Sequence, residues 1–406
     1  MASVKPFSAL RPNPRWASEI CELPYDVLSS DEARRAVEGR PKSFFHVSKP
    51  EVDLPEGTHP YDEAVYAKGR ENFDRFIEEG LLRQDAKPSY YLYRQIMGEH
   101  HQLGLVALAS CEEYDRGIVR KHEFTRPEKE HDRVKHMEAL DAQTGPVFLT
   151  YPARPSLDGP FAKIIESKPE IDFVGQDEVR HSAWTISDDA LLASIESEFQ
   201  AVPILYIADG HHRSAAASRV AQAREGRHSS DFFLTVLFPD NQMQILPYNR
   251  FVHDLNGLGC EPFIDRLSQV AEIESGEGPV VPEAKHQLGM YLDRRWYCLR
   301  FKETVCSDAD PVERLDVSIL QRQVLGSLLG ISDPRTSQRI SFVGGIRGTA
   351  ELERLVDQAG QGVAFAMFPT DIRDLMAIAD ADQIMPPKST WLEPKLRDAM
   401  FCHMIR

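Results

Sequence analysis

The sharpest change from apolar to polar positions lies near the middle of the chain. Residues 202–208 are almost all apolar, Asp-Gly-His-His-Arg follows at 209–213, and an alanine-rich segment continues to Ala223. A short apolar run bounded in this way predicts a buried strand, and the alanine-rich segment predicts a helix. The five polar or small residues, which we call the DGHHR turn, are therefore expected between a strand and a helix.

Similar patterns along the rest of the chain predict both helices and strands. Ser29 and Glu32, and again Thr125 and Glu128, have the spacing of a helix-starting capping box. Further helices are predicted over residues 29–39, 61–79, 125–142, 188–199, 312–329 and 348–359. Strands are predicted over 43–47, 147–150, 296–301 and 362–368, and hairpins over 89–97 with 103–109 and over 231–238 with 243–251.

This order of elements predicts an α+β protein with mixed and antiparallel sheets. A turn signal at residues 254–257 marks a soft boundary. We therefore expect a catalytic core over residues 1–255 and a C-terminal α+β region over residues 256–406 that can close over the site.

Composition narrows the function classes. The chain has 406 residues, of which 42% are hydrophobic, enough for two domains with ordinary cores. The formal net charge of −16 argues against nucleic acid as the main partner. Six scattered cysteines suggest reduced thiols rather than disulfides, and no apolar run has the length of a membrane span. We expect a soluble cytoplasmic protein, with association as a homodimer left open.

The DGHHR turn has the chemistry of an anion site. The first amides of a helix lack intrahelical acceptors, and Gly210 lets a ligand approach the backbone. Asp209 offers oxygen ligands for Mg²⁺, Arg213 can hold phosphate through two hydrogen bonds, and His211 and His212 can donate to phosphate or move protons. The alternative is a solvated turn, because Asp-Gly is common in turns.

A second polar cluster, Lys121-His122-Glu123, directly precedes the helix predicted from residue 125 and so occupies the same architectural position. Glu123 can bind metal or accept a proton, and Lys121 can neutralise phosphate charge.

Three further segments carry candidate chemistry. Asp26 is either a catalytic carboxylate or a turn residue ahead of a helix, and Glu51 is either a base or a solvated loop residue. Residues 385–396 contain three prolines with Lys388, Glu393 and Lys395, and form either a loop that closes over a ligand or a stiff surface connection.

Two resemblances follow from these motifs. The set Leu-Pro-Tyr-Asp-Val at 23–27, Phe-His-Val at 45–47, Lys-His-Glu at 121–123, the DGHHR turn and Met-Pro-Pro-Lys-Ser-Thr-Trp at 385–391 resembles a bacterial family of unknown function. Its members are often encoded near serine-biosynthesis genes. The turn alone is similar to the phosphate-binding turn of the ParB and sulfiredoxin superfamily, and most similar to its free serine kinases.

The second resemblance implies a kinase that uses ATP or ADP with Mg²⁺ to phosphorylate a small hydroxyl-bearing metabolite, with free L-serine favoured. It implies nucleotide contacts from residues 209–213, with Lys121 and Lys388 added from their charge, and metal binding by Asp209 and Glu123. Glu51 or Glu123 would be the base, with His211 and His212 assisting. The alternatives are a phosphoserine phosphatase and a nucleotide-sensing regulator without catalysis.

Overall fold

The computed structural model describes residues 2–225, 229–306 and 309–405, which form two compact units. The first unit joins the chain up to Met243 with the segment that starts at Pro394, and the second unit is Gln244–Glu393. The first unit thus ends at Met243, twelve residues before the boundary predicted at 255. The segment from Pro394 onward belongs to the first unit again. The assignment of residues 1–255 as the catalytic core stays a prediction.

The first unit contains thirteen described strands, nine of which form one mixed sheet. Its strands are β1 (Val4–Lys5), β2 (Leu10–Pro12), β3 (Leu82–Gln84), β4 (Tyr90–Met97), β5 (His100–Ser110), β6 (Val119–Arg120), β7 (Ala142–Gln143), β8 (Val147–Tyr151), β9 (Ile171–Val174), β10 (Arg180–Ile186), β11 (Leu205–Asp209), β12 (Phe232–Pro239) and β21 (His403–Met404). In the described residues, nine strands form the order β6-β11-β8-β12-β5-β4-β10-β9, with β1 added on β5. The pairs β6–β11 and β8–β12 are parallel and the others antiparallel.

The first unit also contains helices. They are α1 (Ala17–Ile20), α2 (Ser30–Val37), α3 (Phe45–Ser48), α4 (Glu63–Glu78), α5 (Cys111–Asp115), α6 (Pro127–Leu140), α7 (Pro155–Ile165), α8 (Asp189–Gln200) and α9 (His211–Ala223), with 3₁₀ turns at Pro50–Asp53 and Asp240–Gln242. The alanine-rich face of α9 lies in the same core as the apolar residues of β11, represented by Ala216, Val220 and Ile207. Small side chains let this helix pack closely, which fixes the DGHHR turn at its start.

The second unit has an antiparallel sheet. Its strands are β13 (Ile245–Leu246), β14 (Tyr248–Val252), β15 (Ala271–Ser275), β16 (Gln287–Leu292), β17 (Arg295–Phe301), β18 (Ile340–Gly344), β19 (Val363–Met367) and β20 (Trp391–Leu392). Six of them are ordered β15-β17-β16-β19-β14-β18 among the residues described. Its helices are α10 (Cys260–Leu267), α11 (Asp316–Leu320), α12 (Gly348–Ala359) and α13 (Ile372–Asp380), with a π-helical turn at Gln321–Gly326. The short 3₁₀ turns are Glu303–Val305 and Gly345–Arg347.

The α+β class with mixed and antiparallel sheets is confirmed, and so is the hairpin β4–β5. Four local predictions are wrong. Residues 43–47 are not a strand, because 45–48 form α3. Residues 231–238 and 243–251 do not pair, because β12 lies between β5 and β8 and β14 belongs to the second unit. Thr125 does not cap α6, and residues 312–329 contain only α11 and the π-helical turn.

Across residues 2–225, 229–306 and 309–405, no helix combines the length and apolar character that a membrane crossing requires.

Candidate functional site

The DGHHR turn joins β11 to α9 through a left-handed residue. Gly210 has φ of +96°, and a Cβ at this position would lie 3.3 Å from the Cα of Val147. Residues other than glycine rarely adopt such a backbone conformation. The neighbouring strand therefore passes so close that glycine is required both for the turn and for the contact.

The first amides of α9 are partly available. The N–H groups of Arg213 and Ser214 donate to the carbonyl of Gly210 at 2.9 and 3.0 Å. In the described part of the chain, no acceptor receives the amide N–H of His211 or His212. Since unpaired amides at a helix start carry partial positive charge, this end of α9 can bind an anion.

Asp209 carries the negative charge of the turn. Its carboxylate accepts from the amide of Gly210 at 2.8 Å and from Lys395 Nζ at 3.1 Å. Burial alone would raise the pKa of Asp209, but the charges of Lys395 and Arg213 outweigh burial and lower it. Asp209 is therefore ionised at neutral pH and keeps lone pairs that can face a cation.

The second polar cluster lies beside the turn. Strand β6 pairs in parallel with β11, so both strands lead into helices that start at the same edge of the sheet. The amide of His122 donates to His211 Nε2 at 3.5 Å, and the amide of Arg126 donates to His212 Nε2 at 3.0 Å. The two clusters lie side by side, although α6 begins only at Pro127, four residues after Glu123, and the loop before α6 orients both histidines of the turn.

All three imidazoles here favour the neutral form. Burial lowers the pKa of His122 to about 4. Burial lowers the pKa of His211 well below its usual value, with His122 adding to the effect, since the two rings meet edge to face at 4.5 Å between centroids. Burial, together with Lys129, also lowers the pKa of His212. At neutral pH these rings can donate or accept a hydrogen bond but carry no full positive charge.

Arg213 is the buried cation of the turn. Only 5% of the residue is exposed; its Nη1 donates to the carbonyl of Pro146 at 2.8 Å, and its Nη2 lies 3.4 Å from a carboxylate oxygen of Asp26. Its Nε has no hydrogen-bond partner in the structure. Because Nη1 and Nη2 already have protein acceptors, the pair of hydrogen bonds from Arg213 to phosphate that the sequence suggested stays a prediction.

A polar cavity of about 220 Å³ opens beside this arginine. Its charged lining residues are the acids Asp26, Glu51 and Asp132 and the bases Lys49, Lys129 and Arg133. Both signs of charge in so small a space suit a small zwitterionic molecule better than a purely apolar one. Asp26 belongs to the cavity and also contacts Arg213, and it raises the pKa of His212 against the effect of burial. The cavity and the DGHHR turn are therefore adjacent.

Glu51 is buried in the wall of this cavity. It is 3% exposed, accepts from Ser30 Oγ at 2.8 Å and lies 3.2 Å from Lys49 Nζ. Ser30 is in the first turn of α2, whose N-cap Ser29 forms the predicted capping box with Glu32. The local fold of residues 29–51 thus holds a carboxylate toward the cavity.

The other predicted site residues are spread more widely. Glu123 is 55% exposed at the side chain, with one carboxylate oxygen 4.0 Å from His211 Nδ1. Lys121 is exposed, with its ammonium 4.3 Å from the ring centre of Tyr114. Lys388 lies in the second unit. No group of three or more metal-ligating side chains occurs within the described ranges, so the metal role of Asp209 and Glu123 stays a prediction.

Two residues that interact with the turn were not predicted from the sequence to do so. Lys395 pairs with Asp209, and Asp398 is a buried carboxyl whose charge interacts with Arg213 and Asp26. Both are separated from the turn by about 185 residues along the chain. The positive charges of the segment 385–396 were the only available signal for Lys395, and nothing in the local sequence marks Asp398.

Solved structures with a similar outline include SbnI with C-terminal truncation from Staphylococcus aureus, at a TM-score of 0.39 and 12% identity, covering 72% of this chain and 85% of that one. A mutant free serine kinase in complex with AMP matches with a TM-score of 0.36 and 11% identity, covering 71% and 87%. A conserved hypothetical protein from Pyrococcus furiosus gives 0.34 and 12%, covering 72% and 93%.

No curated relative matches the sequence at a significant level. The family model described as "Protein of unknown function (DUF1015)" matches residues 4–318, which is more than three quarters of the chain. The sequence motifs that suggested a bacterial family of unknown function lie mostly within this span. The chain therefore belongs to the DUF1015 family.

Proposed function

We propose that this protein is a nucleotide-dependent kinase that phosphorylates a small hydroxyl-bearing metabolite, with free L-serine converted to O-phosphoserine as the specific reaction. The observation that carries the proposal is the adjacency of two sites with complementary chemistry. The DGHHR turn offers unpaired amides to an anion, and the cavity beside it offers both signs of charge to a zwitterion. Asp26 and Arg213 connect them.

In this proposal the phosphates of ATP or ADP occupy the start of α9. The amides of His211 and His212 donate to the phosphate oxygens, and Gly210 leaves room for them. Neutral His211 and His212 add hydrogen bonds without the cost of burying two more charges. Exposed Lys121 adds positive charge. Phosphoryl transfer depends mainly on such positioning and charge neutralisation.

The carboxylates beside the turn suit Mg²⁺ bound together with a nucleotide, although they do not surround the ion completely. Mg²⁺ with a nucleotide is usually held by one or two protein carboxylates together with phosphate oxygens and water. Ionised Asp209 supplies one carboxylate, and Glu123, beside His211, supplies the second. When bound, the ion neutralises phosphate charge that develops during transfer.

The substrate would lie in the cavity with its carboxylate toward Lys49, Lys129 or Arg133 and its ammonium toward Glu51 or Asp132. Its hydroxyl oxygen then attacks the terminal phosphorus, the bond from that phosphorus to the bridging oxygen breaks, and the hydroxyl proton passes to a carboxylate. We assign Asp26 as this base, because it both lines the cavity and contacts Arg213. Glu51 and Glu123, the bases expected from the sequence, remain the alternatives that mutation distinguishes.

The test is phosphorus NMR of the purified protein with Mg²⁺, ATP or ADP, and a panel of hydroxy amino acids that includes serine. We expect a phosphomonoester signal that requires both nucleotide and serine. Asp26→Asn should lower kcat at least a hundredfold with little change in nucleotide affinity, whereas Glu51→Gln should mainly raise KM for serine. Glu112→Gln, at an exposed carboxylate whose side chain is 77% accessible, is the matched control and should retain full activity.

Other outcomes would reject the proposal. Release of inorganic phosphate from phosphoserine without nucleotide would identify a phosphatase. Nucleotide binding with no new phosphorus signal across the panel would identify a sensor. If Glu123→Gln alone abolished kcat while Asp26→Asn did not, the assignment of the base would move to Glu123.

A further inference from the structure

A second charged cavity lies wholly within the second unit. Its volume is about 280 Å³, and its lining includes Arg250 together with the apolar side chains of Val317, Leu325, Phe342, Pro386 and Pro387. Liquid water occupies roughly 30 Å³ per molecule, so the cavity has room for a small metabolite. Its lining residues belong to the second unit, whereas the DGHHR turn belongs to the first.

Arg250 occupies an unusual place for a cation. It is in the middle of β14, where it pairs with Phe342 of β18 and Phe365 of β19, and only 3% of it is exposed. Successive side chains of a strand point to opposite faces. Its neighbour Phe251 packs in the cluster that contains Leu352 of α12, so Arg250 points to the opposite face of the sheet, which carries the cavity.

Among the residues that the structure describes, no carboxylate neutralises the charge of Arg250. Its Nη1 donates to the carbonyl of Tyr248 and its Nη2 to the carbonyl of Lys388 at 3.0 Å. Within residues 2–225, 229–306 and 309–405, no carboxylate lies within ion-pair distance of it. Asp333 also lines the cavity, but Arg335 holds both of its carboxylate oxygens. A buried cation whose only partners are carbonyl groups destabilises the folded state, because its desolvation is not offset by an opposite charge. Burial accordingly lowers the pKa of Arg250 to about 10.

From this geometry we propose that the cavity binds a small organic anion, with a carboxylate or phosphate group against Arg250 and an apolar body against Phe342, Val317 and Leu325. A guanidinium has five N–H donors, so those left after the two carbonyl contacts can form the paired hydrogen bonds that a planar anion accepts. The site includes the Met-Pro-Pro-Lys motif at 385–388, whose prolines form part of the wall and whose Lys388 carbonyl fixes the guanidinium. The motif would thus serve this second site.

The test is hydrogen exchange read by mass spectrometry on the full chain, with benzoate and phenyl phosphate as probes and chloride of equal ionic strength as the blank. We expect either probe to slow exchange in peptides that cover residues 332–335 and 385–390. Arg250→Met should remove this protection without loss of the folded state, since an uncompensated buried charge is replaced by an apolar side chain of similar length. Arg339→Met is the matched control, because Arg339 has its own carboxylate, Asp254, and its loss should leave protection intact.

Arg250→Lys keeps the charge but not the planar fork, so we expect at least tenfold weaker probe binding with normal folding. If Arg250→Met fails to fold, probe binding by Arg250→Lys tests the proposal instead. Wild-type protein with no protection at residues 332–335 and 385–390, or with protection only around residues 209–213, would overturn the proposal. Unchanged binding by Arg250→Lys would overturn it as well. None of these outcomes depends on kinase activity.

Discussion

Replacement of Asp398 by asparagine should stabilise the protein, and by an amount that grows with pH. Asp398 is 2% exposed, and its Oδ1 has no hydrogen-bond partner in the structure. Burial, with a further contribution from Asp26, raises the pKa of Asp398 to about 7 although Arg213 and Arg133 oppose the change. Asparagine resembles the protonated carboxyl in shape and cannot ionise, so Asp398→Asn removes the cost of burying the charge.

The magnitude follows from linkage. A carboxyl whose folded pKa is raised gives its full stabilisation below the unfolded pKa, near 3.8, and loses it as pH rises through 7. At about 1.36 kcal/mol for each pH unit, the gap between 3.8 and about 7 corresponds to roughly 4 kcal/mol. The variant should therefore match the wild type near pH 4, exceed it by about 3 kcal/mol at pH 6, and exceed it by about 4 kcal/mol at pH 8.

Urea unfolding at several pH values, followed by circular dichroism, measures this difference. Asp172→Asn in the same unit is the control, for which we expect a change in stability of the opposite sign, because the hydrogen bond from Arg180 lowers the pKa of Asp172. That variant should lose stability at neutral pH, and the loss should shrink as pH falls through the lowered pKa. A gain for Asp398→Asn that is equal at pH 5 and pH 8, or a net loss at pH 8, would refute the reasoning.

Four other predictions test the turn and its surroundings. Ser29→Ala should cost about 1 kcal/mol in urea unfolding, because it removes the hydroxyl that accepts from the amide of Glu32 at the start of α2, and an equal stability would contradict that role. Gly210→Ala should cost roughly 1–2 kcal/mol from its positive φ and weaken nucleotide binding measured by calorimetry; unchanged binding would count against the turn as the phosphate site. Lys395→Met should raise the pKa of Asp209, measured by carboxyl-carbon NMR titration, and an unaltered titration would show that the pair is not formed. The contribution of His122 to stability should fall as pH decreases from about 6.5 to 4, since this buried imidazole gains a proton on unfolding; His122→Asn should therefore become more stable relative to the wild type over that range, and a constant difference in urea unfolding would contradict the argument.

Local patterns predicted the parts of the fold that depend on neighbours in sequence. The hairpin β4–β5, the start of α2 and the strand-turn-helix around Gly210 all follow from short-range rules. The strand predicted over residues 43–47 is wrong because a segment this short, with three apolar side chains, is compatible both with a strand and with a buried helical turn. The capping box predicted at Thr125 does not form, because the hydroxyl of Thr125 donates to the carboxylate of Glu130 instead of accepting from a backbone amide.

The parts that the sequence left open depend on tertiary contacts. β12 was expected to pair with the strand after it, yet it pairs with β5 and β8, and the chain then crosses into the second unit. From the sequence alone, Asp26 is equally compatible with a role in a turn and with a catalytic role. Its contact with Arg213 and its place in the cavity become visible only when residues 187 positions apart meet.

The return of the chain end to the first unit has a consequence for biosynthesis. Lys395, which neutralises Asp209, and Asp398, which interacts with Arg213, are both translated after the whole second unit. At ~5–20 residues per second, the ribosome needs roughly 8–30 s for the intervening ~150 residues. During that interval the nascent first unit carries a DGHHR turn whose aspartate lacks its lysine partner. The ion pair between Asp209 and Lys395 can therefore form only after the whole second unit has been translated.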